Sequence, residues 1–223
     1  MKTLHILLLV LSLALIQNQS FANTILTANI THDQEVGTGA LPLTTSTGAP
    51  RPLSFGTATF NLNTAQTELS FTATIFNIDI TGTQTADTFD NLVAAHIHVG
   101  APPGANAPVR WGFFGSPDND INPDNLVVTP FASGVGGIFS SIWNLPEGNG
   151  GTTLTTNLPD ILAGNSYINF HTVQFGGGEI RGQIRGVPDV GSTAALFALA
   201  LVALIGLQWR ERQMRVTAAQ ARS

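Results

Sequence analysis

Glu68-Leu69-Ser70-Phe71-Thr72-Ala73-Thr74-Ile75-Phe76-Asn77-Ile78 alternates polar and apolar side chains from Glu68 to Ile75. Successive side chains on a strand point to opposite faces, so Leu69, Phe71, Ala73 and Ile75 share one face while Ser70, Thr72 and Thr74 share the other. The same period-2 pattern recurs at residues 25–31, 57–63, 92–99, 125–131, 138–143, 166–172 and 179–185, with Gly, Pro and Asn between the runs. Threonine supplies 23 of the 164 residues from 23 to 186, and this β-branched residue favours strands. No segment in that region has a sustained period of 3.6; the best helical candidate is one turn at Leu158-Pro159-Asp160-Ile161-Leu162-Ala163-Gly164, closed by glycine. The expected fold is all-β, an antiparallel β-sandwich or barrel in one domain spanning 23–186. Residues 41–52 read as an exposed connection and 100–125 as a long loop, of a length that in compact domains is often functional.

The flanking segments have a different composition. Met1-Lys2 is followed by an apolar run and then Ser20-Phe21-Ala22, the order of a secretory signal peptide cut after residue 22. Ala194 to Leu207 is an unbroken apolar stretch of fourteen residues, followed by Arg210, Arg212, Arg215 and Arg222 against the single acid Glu211. It is expected to form a transmembrane helix over about 194–209 with a cytoplasmic basic tail. Immediately before it stands Val187-Pro188-Asp189-Val190-Gly191. This short proline motif, apolar helix and basic tail resemble the PEP-CTERM class of bacterial surface-sorting signals in its VPD-x-G variant, which implies a transient anchor cut near the motif by an exosortase-type membrane enzyme. The sorting segment is then 187–223, with the motif at Val187, Pro188, Asp189 and Gly191.

Within 23–186, eight aspartates and four glutamates stand against four arginines and no lysine, a net charge of −8. A basic groove for nucleic acid is excluded. The chain contains no cysteine, so a core of ordinary size must hold the domain together without disulfides.

The chemistry-bearing residues concentrate in two runs, Ala95-His96-Ile97-His98-Val99-Gly100 and Tyr167-Ile168-Asn169-Phe170-His171, the second followed by Gly177-Gly178-Glu179-Ile180-Arg181-Gly182-Gln183. Parity puts His96 and His98 opposite Ala95, Ile97 and Val99, and His171 opposite Ile168 and Phe170. His96, His98 and His171 are therefore expected on polar faces, with Glu179 or Arg181 nearby. Three readings follow: a polar network that fixes strand pairing, a transition-metal site, or catalytic acid/base work, for which the sequence offers no convincing nucleophile beside a base. A second candidate is Asp118-Asn119-Asp120-Ile121-Asn122-Pro123-Asp124, where Asp118, Asp120, Asn122 and Asp124 have the spacing of calcium ligands, although Pro123 stands where an EF-hand needs glycine. Trp111, Phe113 and Phe114 beside Arg110 are a candidate sugar-stacking surface or part of the core.

The two histidine runs, together with Trp143, the run Leu162 to Thr172 and Gly177-Gly178-Glu179-Ile180-Arg181-Gly182-Gln183-Ile184, closely resemble the CHRD domain over about 24–186. The resemblance implies an extracellular all-β interaction or structural module with no established bacterial reaction, and no cofactor. The expected protein is thus exported and noncatalytic, sorted to the cell envelope or exopolysaccharide matrix. Its expected partners are the membrane, an exosortase-type processing enzyme, and exopolysaccharide or surface proteins. The alternatives are a metal-dependent, redox-capable enzyme built on His96, His98 and His171, and a calcium-supported adhesion module.

Overall fold

A computed structural model describes residues 23–37, 42–187 and 190–220, and the chain divides between Gly186 and Val187 into two units. The signal peptide and two sorting-motif residues, Pro188 and Asp189, lie outside the described residues.

The first unit is all-β. Its strands are β1 (Thr24–Thr31), β2 (Phe55–Leu62), β3 (Glu68–Phe76), β4 (Leu92–Val99), β5 (Val109–Gly115), β6 (Val127–Pro130), β7 (Gly136–Asn144), β8 (Ser166–Thr172), β9 (Ile180–Gln183) and β10 (Arg185–Gly186); one helix, α1 (Leu154–Leu162), precedes β8. Every strand pairing is antiparallel. The strands form one sheet in the order β5-β4-β8-β9-β1-β2-β3-β7-β6, with β10 also on β1, and the sheet curls into a half-barrel. The expected sandwich or barrel is realised by this single sheet folding over its own inner face.

Alternation decides what that inner face contains. Ala58, Phe60 and Leu62 of β2 and Leu69, Phe71, Ala73 and Ile75 of β3 are buried, while Thr57, Thr59 and Thr72 remain exposed. Curling brings the edge strand β5 over the far half of the sheet. Phe113 of β5 lies 4.7 Å from Phe71 of β3, and Trp111 stacks on Trp143 of β7 at 5.6 Å with the rings 3° apart. Contacts of this kind each contribute about 0.5–1.5 kcal/mol beyond the area they bury. Glu147 secures the two indoles: its side chain accepts from Trp111 Nε1 at 3.2 Å and its carbonyl accepts from Trp143 Nε1 at 2.8 Å.

Three elements differ from the sequence reading. The stretch 100–125 contains β5, whose Gly112 and Gly115 weaken the strand pattern. Glycine at 112 answers a close approach, because a Cβ there would stand 1.8 Å from the Pro117 carbonyl oxygen of the segment crossing over it. The single turn expected at 158–164 is a longer helix beginning at Leu154, since Thr153 and Thr156 form a reciprocal capping box. Its closure at Gly164 is as expected, with φ +77°. The run 179–185 is divided into β9 and β10 at Ile184, whose N–H donates to the Ser166 carbonyl.

In β4 and β8 both faces are covered. All seven residues of β8 are buried, as are Ala94 to Val99 of β4. Ile97, Ile168 and Phe170 belong to the apolar core. The opposite face is roofed by the 3-10 turn His32–Gln34 and by loops 105–107 and 116–117, through hydrogen bonds to Arg181, His98 and His96.

The second unit is a helix, α2 (Val190–Gln220), which takes in Arg210, Arg212 and Arg215 of the basic tail. No helix among the described residues is long and apolar enough to cross a membrane. The apolar run of fourteen residues explains this, since as helix it covers about 21 Å against a hydrocarbon thickness of about 30 Å.

Candidate functional site

The strand order places β4 beside β8 and β8 beside β9, so residues far apart in sequence share one face. His96 pairs with Asn169 and His98 with Tyr167; Asn169 pairs with Arg181 and Tyr167 with Gln183. His171, opposite Ala94, is one diagonal step from His96. The three histidines inferred from parity do meet, and each is buried at 4–8% exposure.

Their contacts are specific. His96 Nδ1 is 3.2 Å from His171 Nε2, and His96 Nε2 is 3.0 Å from the Ser116 carbonyl oxygen. His171 Nδ1 stands 3.1 Å from the Gly176 carbonyl oxygen and His98 Nδ1 2.8 Å from that of Ala107. His98 lies flat on Tyr167 at 4.7 Å, and the Arg181 guanidinium covers the same tyrosine ring at 4.6 Å. Among the described residues these histidines are the one group of three or more metal-ligating side chains that converges, with ligand atoms within 4.8 Å of one another.

Burial, which disfavours the charged imidazolium, lowers all three pKa values. His96 falls to about 4, with the neighbouring histidines adding to the effect. His98 also falls to about 4, burial leading and the Ala107 hydrogen bond opposing it. His171 is lowered chiefly by burial. The face also holds four buried polar atoms without a hydrogen-bond partner: His98 Nε2, Asn169 Oδ1, Arg181 Nη2 and Glu35 Oε1.

Glu35 joins this face without any advance signal in the sequence, because it follows β1 and reaches Arg181 only through the fold, at 3.7 Å. Burial raises its pKa to about 7 against the opposing charge of Arg181. Glu179, expected beside the histidines, is committed elsewhere. Its carboxylate accepts from Arg51, Ser54 Oγ and Thr172 Oγ1, the last at 2.6 Å. Arg51, in the proline-rich connection, is the cation that draws it away.

The candidate calcium ligands are engaged by the chain in the same way. Asp118 accepts from the Asp120 N–H and Asp124 from the Leu126 N–H. Asp120 is buried and accepts from the Asn125 N–H and Ser141 Oγ, while the Asn122 N–H donates to Glu147. These side chains build a turn network tied to β7, and among the described residues Asp118, Asp120 and Asp124 do not form a converging group of ligands. Trp111 and Phe113 are fully buried and Phe114 packs edge-on against Phe139, so the three aromatics are core and offer no sugar-stacking surface.

Two family models match the chain. The CHRD domain covers residues 26–184 and the VPDSG-CTERM motif, a PEP-CTERM-like sorting signal, covers 186–208. Comparison with curated proteins and with solved structures gives no match. The strands that carry the histidine face lie within the matched region, from β4 to β9. The chain therefore belongs to the CHRD domain family, with a surface-sorting motif following the domain.

Proposed function

We propose that this protein is an exported CHRD module delivered to the bacterial envelope, where it serves surface or matrix interactions without catalysing a reaction. The observation that carries this reading is the junction: the CHRD match ends at residue 184 and the sorting motif begins at 186. The leader at 1–22 supplies export. The apolar half of α2, too short to cross a bilayer as it stands, and the basic Arg210, Arg212 and Arg215 beyond it support a transient association with the inner membrane. Cleavage near Pro188 and Asp189 by an exosortase-type enzyme then frees the β domain.

A noncatalytic role is supported by the partners of the histidines. Among the described residues the hydrogen-bond partners of these rings are carbonyl oxygens and another imidazole, an arrangement that orients the rings rather than activating a hydroxyl nucleophile. The outer face of β2, β3 and β7 supports an interaction role. Thr59, Thr72 and Ser140 stand in register across it, with Thr72 Oγ1 3.2 Å from Ser140 Oγ, a row of hydroxyls suited to a polysaccharide or a polar protein surface.

Expression of the full chain in bacteria with and without an exosortase-type enzyme tests the reading. With the enzyme, a C-terminally trimmed chain should reach the outer surface or medium; without it, or with Pro188→Ala and Asp189→Ala together, full-length chain should stay with the inner membrane. Full-length chain in the cytoplasm, or trimming that ignores both the enzyme and the motif, contradicts it.

A further inference from the structure

The line of contacts from the Ser116 carbonyl through His96 and His171 to the Gly176 carbonyl contains three gaps, of 3.0, 3.2 and 3.1 Å. A carbonyl oxygen only accepts, so each outer gap requires a ring N–H. A neutral imidazole carries one such proton, so two rings bring two protons to three gaps. With the outer gaps filled, two nitrogen lone pairs face each other in the middle. Any other placement moves the conflict onto a carbonyl. His98 adds to the deficit: its Nδ1 donates to the Ala107 carbonyl, leaving Nε2 bare, buried and unpartnered. The face is short of one positive centre.

We infer that His96 Nδ1, His98 Nε2 and His171 Nε2 are the ligands of a divalent transition-metal ion of the zinc or copper type. A cation here fills the middle gap and satisfies His98 in one step. Two nitrogens bound at 2.0–2.1 Å to a tetrahedral ion stand about 3.4 Å apart, close to the 3.2 Å between His96 and His171. One ring nitrogen from each histidine already lies within 4.8 Å of the other two. Each imidazole donates its remaining N–H to a backbone carbonyl, the arrangement that fixes tautomer and ring direction in metal-binding histidines. Three imidazoles, with no carboxylate in the group, favour zinc or copper over calcium or magnesium. Two ligands come from β4 and one from β8, so the ion fastens neighbouring strands at the middle of the covered face, with a fourth position left for water.

The test is zinc titration of the full chain, purified in mild detergent and stripped with chelator. Wild-type chain should take up one zinc ion, its unfolding temperature should rise with zinc concentration, and cobalt in place of zinc should give the visible absorption of a four-coordinate nitrogen site. His98→Ala and His171→Gln should each weaken zinc binding by roughly 100-fold or more while the far-ultraviolet circular dichroism of the metal-free chain is retained. The wild-type cobalt spectrum needs no variant and decides the matter if a substitution unfolds the chain. Absence of stoichiometric zinc uptake by wild type, or uptake that both folded variants keep, overturns the assignment.

Discussion

His96, His98 and His171 are neutral in the fold because their face is roofed, and the same burial gives the metal-free chain a defined response to acid. Unfolded histidine titrates near 6.5, whereas His96 and His98 titrate at about 4 in the folded chain. Between those values the unfolded state binds more protons, so stability is fully present above about pH 6.5 and is lost as pH falls toward 4. Each such group contributes a slope approaching about 1.4 kcal/mol per pH unit in the middle of that window. Glu35 acts in the other direction. Its folded pKa of about 7 exceeds the ordinary 4.5, so between those values the folded state holds the extra proton and gains stability on acidification. Three histidines against one glutamate leave a net loss. Urea unfolding of the chelator-treated chain from pH 7 to 4.5 should show falling stability, and Glu35→Gln should steepen the fall by removing the group on this face that opposes it. A flat profile, or one that Glu35→Gln flattens, contradicts these assignments.

Among the elements, β4 and β8 were legible because their alternation is strict and the histidines mark its polar phase. Parity alone placed three side chains from residues 75 apart on faces that the pairing of β4 with β8 then joined. Parity could not reveal that both faces are covered, because the cover comes from segments with no period, including Ala107 and Ser116. Glu179 was misplaced for a related reason: its partner Arg51 lies 128 residues away in a loop, and no local pattern links them. β5 was missed because its glycines answer to a crossing segment, a tertiary demand. That demand gives a prediction at this scale. Gly112→Ala sets a Cβ 1.8 Å from the Pro117 carbonyl oxygen and 3.1 Å from His96 Cδ2. The crossing segment must lift, taking the Ser116 carbonyl from His96. The expected cost is about 2–3 kcal/mol in urea unfolding, together with weaker zinc binding. A Gly112→Ala chain of unchanged stability and zinc affinity would show that the crossing does not constrain His96.

At the scale of the whole molecule, export and the histidine face belong to one account. A chain that leaves the cytoplasm meets its metal outside, and a cysteine-free domain then gains a cross-strand tie of another kind. The apolar core of Phe60, Phe71, Trp111, Phe139, Trp143 and Phe170 contains none of the three histidines. The most direct measurement is elemental analysis of the chain recovered from the outer surface or medium of an exporting bacterium. One zinc or copper ion per chain is predicted, retained through purification and absent from His171→Ala recovered in the same way. A folded, correctly trimmed wild-type chain that contains no transition metal would contradict the claim.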